Sequence, residues 1–311
     1  MKIMKKAGTG KQRAVASAGG GKKLRAASFS IGVNAFLIAL KSAVALITGS
    51  IAILAELAHS FFDMLASIFA YVGIRKADEP ADRSHLYGHE KFENLSSLAQ
   101  TLLIVFTSVF ILFESVSRIF SPRKIEATEL GLLVMVVTIA IDYFVSRYLH
   151  RASRDFGSSA LEADAYHFTT DLWGAITVIV GLGFVIAGFP VFDSVAAIIV
   201  ALLMLWISYR LGKKALNALM DISPSQETMG RIGNIIGSTK GVRHFHKLKA
   251  RQVGNRLLID VHIQLPSRIT IRKGHYIAHR VKRRLVKELP DIKEVTVHIE
   301  PDIPGDEEKE T

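Results

Sequence analysis

Four side chains in two apolar stretches have the types and spacing to do chemistry. His59 and Asp63 stand four apart in Glu56-Leu-Ala-His-Ser-Phe-Phe-Asp63, and His167 and Asp171 stand four apart in Ala165-Tyr-His-Phe-Thr-Thr-Asp171. On a helix, residues i and i+4 share one face a turn apart, so each pair offers an imidazole and a carboxylate from the same side. Two such helices facing each other bring two nitrogens and two oxygens into a tetrahedral set, the geometry and ligand choice of zinc. Ionisable groups in a membrane helix are costly, and isolated carboxylates there are protonated or expelled unless a cation compensates them. One such pair is read equally well as polar residues that pack helices. The same H-x-x-x-D pattern on two separate stretches favours metal. Asn34, Lys41, Glu56, Asp142 and Asp193 are also polar within apolar surroundings but lack this repetition. They read as groups that pack helices, snorkel or support the metal ligands from behind, Glu56 also as a cation-access point.

The elements that must position the four are helices. Apolar segments run roughly over 29–47, 51–74, 95–120, 130–148, 161–187 and 191–209. Each is long enough to cross roughly 30 Å of hydrocarbon at about 1.5 Å per residue. Thr48-Gly49-Ser50 separates the first pair and Gly188-Phe189-Pro190 the last. The chain is 50% hydrophobic over 311 residues, more than an ordinary soluble domain carries. It has no cysteine, so soft-metal chemistry must use His with Asp or Glu. Lys and Arg gather in the basic tail, in the 75–93 and 147–160 loops and after 209, while the turns near 49 and 189 carry none. That asymmetry places both termini in the cytoplasm of a plasma (inner) membrane protein. The 118–129 loop dissents, with Arg118, Arg123 and Lys124 on the outer side. Residues 1–27 read as a disordered basic cytoplasmic tail, 28–210 as the membrane domain, 211–301 as a cytoplasmic domain and 302–311 as an acidic tail. No cleavable signal is evident.

After residue 211 the pattern becomes soluble. A helix is expected over 225–238, strands over 243–253 and 256–265 joined at Gly254-Asn255, a basic amphipathic helix over 271–288 and a strand over 293–300. The fold class is therefore an α-helical membrane protein of six spans with a C-terminal αββαβ domain, ferredoxin-like or metallochaperone-like.

With Ala58-His59-Ser60-Phe61-Phe62-Asp63, Leu161-Glu-Ala-Asp-Ala-Tyr-His167-Phe-Thr-Thr-Asp171 and the loop Asp82-Arg-Ser-His85-Leu-Tyr-Gly88-His89-Glu-Lys91 quoted, the chain resembles the cation diffusion facilitator family over about residues 28–301. The resemblance implies a homodimeric, proton-coupled exporter of divalent metal, with Zn2+ as cargo and as structural or regulatory ion. His59, Asp63, His167 and Asp171 match the family's transport site, and two His with two Asp resemble its zinc members. Asp82, His85 and His89 match its loop site. Lys91 and Asp221 match a pair that interlocks the third helix with the cytoplasmic domain. His246, His262, His275, His298 and Glu300 match the cytoplasmic metal site, with Glu300 standing where the family usually has Asp. His279 departs from the pattern, and His244 reads as a surface residue.

Other classes fare worse. An intramembrane metalloprotease needs H-E-x-x-H, and His89-Glu90 has no second His in register. The net charge of +11 invites a nucleic-acid reading, but the charge sits in the tail and loops as membrane topology requires. The expected partners are the divalent metal, protons, the bilayer and a second copy of the chain, with no nucleic acid and no enzymatic activity. The alternatives kept open are export of Fe2+, Cd2+, Co2+ or Mn2+, and a non-transporting metal-responsive membrane scaffold.

Overall fold

The computed structural model describes residues 9–48, 51–120, 129–186, 191–254 and 256–302, of which 9–19, 48, 51–56, 58, 59, 129–132, 178, 181–186, 191 and 193 are described by backbone alone. The two inter-helix turns near 49 and 189 and the basic residues Arg123 and Lys124 lie outside the described residues.

Six long helices come first among the described residues: α1 (Thr9–Thr48), α2 (Ile51–Ala77), α3 (Lys91–Phe120), α4 (Glu129–Phe156), α5 (Ser159–Ile186) and α6 (Val191–Leu219). By length and composition α1, α3, α4 and α6 each contain a stretch able to cross a membrane. α3 explains how such a bundle is built. Its small and polar residues Ser97, Gln100, Thr101, Ser108 and Ser115 recur at helical spacing and are buried, while Leu102, Phe106, Phe110 and Phe113 on the other face are 58–73% exposed. Small residues let backbones approach, and the apolar side chains turned outward meet lipid. The hydroxyls of Thr101, Ser108 and Ser115 bond the carbonyls of Ser97, Ile104 and Ile111 one turn back, which removes the cost of burying them.

Most helices overrun the apolar segments that announce them. α4 continues to Phe156 through Arg147, Arg151 and Arg154, and α6 continues to Leu219. Hydropathy marks only the part of a helix inside hydrocarbon; the backbone keeps its period into water. The same reason bears on the 1–27 tail, expected to be disordered: its described part, from Thr9, is helical as the start of α1. That run is rich in Ala, Lys and Arg, which are strong helix formers, and Ala26 and Ala27 pack fully buried against Ala70, Ile74, Leu149 and Leu161. Lys23 is also fastened, its Nζ donating to Glu93 Oε1 of α3 at 2.6 Å.

The chain divides into two compact units at Leu216/Asn217, each described by itself. The second contains α7 (Gln226–Gly237), β1 (His244–Val253), β2 (Arg256–Pro266), α8 (Ile271–Glu288) and β3 (Ile292–Asp302), the αββαβ order the pattern predicts. β2 is central, antiparallel to β1 and parallel to β3. Ser225 caps α7 and Thr270 caps α8 through side-chain oxygens. The odd-numbered Ile259, Val261, Ile263 and Leu265 of β2 pack against Ile232 and Ile236 of α7 and Ile277, Val281 and Leu285 of α8. Strand alternation therefore turns the even-numbered residues to the open face of the sheet.

Candidate metal centres

α2 and α5 pack together and bring three of the four intramembrane residues into one cluster. His167 Nε2 lies 3.1 Å from Asp63 Oδ1 and 3.9 Å from Asp171 Oδ2. One ligand atom from each of Asp63, His167 and Asp171 lies within 4.8 Å of the others. The imidazole side chain is 1% exposed and the Asp63 carboxylate 11%. Carboxylates buried in low dielectric are costly unless compensated, and a divalent cation held between them and the ring would compensate them. His59 falls on α2 one turn before Asp63, and its side chain lies outside the described residues, as do those of Glu56 and Asp193. Asn34 and Lys41 of α1 do not snorkel. Lys41 Nζ donates to Ser60 Oγ at 2.9 Å inside the bundle, and Asn34 and Asp142 are each 2% exposed. Sequence reasoning passed over Asp164, which is fully buried on α5; its position three residues before His167 was the available signal.

A second cluster occupies the loop before α3. Asp82 Oδ1 accepts the backbone N–H of His85 at 2.6 Å and both the N–H and the hydroxyl of Ser84. These bonds hold the Asp82 carboxyl far below the usual carboxylate range, the His85 N–H contributing most. The Asp82 Oδ2 lies 3.4 Å from His89 Nε2, and Oδ1 lies 3.5 Å from His85 Nδ1. A turn at Gly88, whose φ of +92° suits glycine, folds the His85 and His89 rings to 4.5 Å between centroids. Although His89 is 2% exposed, neither ring nitrogen has a hydrogen-bond partner among the described residues. Buried donors and acceptors are normally satisfied, and a cation shared with Asp82 and His85 would satisfy this one.

The third cluster lies on the open face of the sheet. Strand register sets His246 opposite His262 and His262 opposite His298, a row of imidazoles across three strands. Glu300, two residues on from His298, straddles the row: Oε1 lies 2.6 Å from His262 Nδ1 and Oε2 lies 3.0 Å from His246 Nε2. The longer arm of Glu spans both rings. The 3.0 Å contact meets the ion-pair distance but not hydrogen-bond geometry, since His246 Nε2 has no hydrogen-bond partner; the distance is what matters for a shared cation. His298 stands at the rim, 61% exposed and 3.5 Å from Glu300 Oε1. His275 is not brought into this cluster. It lies exposed on α8 beside His279, ring centroids 4.4 Å apart, and α8 covers the opposite face of the sheet. His244 is exposed at the start of β1. Of the two residues of the expected interlock, Lys91 begins α3, and Asp221 follows α6 with φ +60°, its Oδ2 accepting from Arg251 Nη1 at 3.1 Å.

Residues 27–220 match the family model of the cation efflux transmembrane domain, and residues 224–302 match that of the cation efflux protein cytoplasmic domain. The chain is 32% identical over 272 residues to the cation-efflux pump FieF of Shewanella oneidensis, covering 88% of this chain and 92% of that protein. It is 30% identical to an uncharacterized transporter of Synechocystis, covering 88% and 89% of the two chains, and 30% identical to one of Methanocaldococcus jannaschii, covering 87% and 95%.

Proposed function

The chain belongs to the cation diffusion facilitator (cation efflux) family, integral membrane transporters and not enzymes, and on that premise we propose that it exports Zn2+ from the cytoplasm in exchange for protons. The observation that carries the reading is the 3.1 Å approach of His167 to Asp63 from two different helices, with Asp171 beside them. A nitrogen and carboxylate oxygens suit zinc better than magnesium or calcium, which take oxygen alone. His59, one turn before Asp63, is the fourth ligand. Metal and proton compete for the same ring nitrogen, and imidazole titrates near neutrality at about 6.5. Loading from the cytoplasm releases protons; once the helices reorient, protons from outside reload the ligands and release the ion.

The protein works as a homodimer in the plasma (inner) membrane with both termini in the cytoplasm. Asp82, His85 and His89 hold a second zinc. His246, His262, His298 and Glu300 hold another on the cytoplasmic sheet, where binding favours the paired arrangement of two domains as cytoplasmic metal rises. His275, on the far side of its own sheet, joins such an ion only from the other protomer.

Reconstituted vesicles under a pH gradient test this. Wild-type protein should move Zn2+ against a counterflow of protons, with Fe2+, Cd2+, Co2+ and Mn2+ slower, and His167→Ala and Asp171→Ala should abolish flux. Zinc transport at the wild-type rate by either variant removes the site; absence of flux in wild type leaves a metal-responsive scaffold.

A further inference from the structure

Asp164 belongs to no metal cluster, yet it is 0% exposed in the middle of the helical bundle. Its surroundings form a closed chain of donors. The Ser67 hydroxyl donates to Asp164 Oδ1 at 2.9 Å. Ser30 Oγ lies 2.6 Å from Ser67 Oγ, and both hydroxyls bond the Asp164 carboxyl. Ser67 Oγ also accepts an N–H of Asn34 Nδ2 at 2.9 Å. The other N–H of that amide reaches the backbone carbonyl of Asp63 at 3.1 Å. The network therefore joins α1, α2 and α5 through Asp164, Ser67, Ser30 and Asn34. Ser30, Asn34 and Ser67 are each at most 2% exposed, so no water competes for these bonds.

The position of this network along the bundle is informative. Ser67 is one turn past Asp63 on α2, and Asp164 is one turn before His167 on α5. The network is therefore the layer of the bundle next to the metal ligands, and it ends on the peptide of one of them.

We propose that Asp164 is a positioning residue of the transport site, whose carboxyl, through Ser67 and Asn34, pins the turn of α2 that carries Asp63 at its working distance from His167. The inference rests on the transport-site reading above. It assigns Asp164 a geometric duty: an acceptor oxygen at that place is what the network requires, and a charge is not. Asp164 Oδ2 has no hydrogen-bond partner among the described residues, so an amide there displaces no bond.

The experiment is zinc transport by the full-length chain in vesicles, recording KM, maximal rate and the pH profile. Asp164→Leu removes the acceptor and should raise the KM for zinc about tenfold or more, because a lost buried bond misplaces a ligand. Asp164→Asn keeps an acceptor oxygen toward Ser67 and should restore KM to within about threefold of wild type, at an unshifted pH profile. Ser67→Ala keeps the carboxyl but breaks the chain and should raise KM about threefold or more, which decides the matter if Asp164→Leu does not insert. A wild-type KM in Asp164→Leu or in Ser67→Ala overturns the proposal. So does an Asp164→Asn protein as impaired as the leucine variant or with a displaced pH profile, since charge would then be the operative property. Neither result touches the site reading, which stands or falls with His167→Ala and Asp171→Ala.

Discussion

The carboxylate of Glu300 lies 2.6 Å from His262 Nδ1, the shortest of its three approaches to histidines on the cytoplasmic sheet. Its second oxygen reaches His246 on the neighbouring strand at 3.0 Å. One side chain therefore ties two strands' imidazoles into a single donor set.

Glu300→Gln should weaken zinc binding to the cytoplasmic domain at least about tenfold, since it replaces an anionic oxygen ligand with a neutral amide. Glu300→Asp keeps the charge but cannot reach both rings at their present spacing, and should fall between the two. The measurement is equilibrium zinc titration of full-length protein carrying His167→Ala, so that the transport site contributes little. Wild-type affinity in Glu300→Gln would remove Glu300 from the donor set.

The loop cluster makes a prediction about pH. The Asp82 carboxyl is depressed by the His85 N–H and the Ser84 hydroxyl and N–H. A depressed carboxylate contributes its stabilisation above its unfolded pKa and loses it only as pH falls through the lower folded value. Asp82 thus remains an anionic ligand throughout mild acid. Zinc on the loop should accordingly be lost when protons displace the metal from His85 and His89, and not through loss of the Asp82 charge. Zinc titrations from about pH 8 to about pH 5, comparing wild type with His89→Gln, resolve this step. Retention of the loop-dependent zinc down to about pH 4 would assign the site to carboxylates alone.

Helix packing supplies the third prediction. A Cβ placed on Gly73 of α2 would stand 2.3 Å from Ser96 Cβ and 3.2 Å from the Phe92 carbonyl of α3. Ser96 cannot yield, because its hydroxyl already bonds the Phe69 carbonyl. Gly73→Ala should therefore separate α2 from α3 and cost about 1–3 kcal/mol, as overpacking does. Gly32 on α1 meets nothing within 4 Å, so Gly32→Ala should be neutral or stabilise by up to about 1 kcal/mol through helix propensity. Thermal unfolding in detergent compares the two; equal stabilities would mean that α2 and α3 are not in close contact.

Much of this protein is legible in its order of residues. Hydropathy located the helices of the bundle to within a few residues at their apolar ends, and alternation located the strands. Apolar burial and the 2.0 and 3.6 periods are local rules, and they hold wherever the element ends up. The ends of α1, α4 and α6 were missed because hydropathy reports the solvent around a helix and not the backbone's own period. The choice between packing and snorkelling at Lys41 is not legible for a related reason: a lysine near the end of an apolar run looks the same whether it reaches for water or for Ser60.

By itself, the sequence determined that His167 and Asp171 share a helix face and that His298 and Glu300 share a strand face, since each pair is separated by a whole period of its element. Tertiary structure alone decided that Asp63 meets His167, that Glu300 bridges to His246 while His275 does not join them, and that Asp164 closes a chain running through Ser67 and Asn34. Those relations depend on how far one element is turned and slid against another, and that is set by the sum of many small contacts between packed surfaces, which no short stretch of chain encodes.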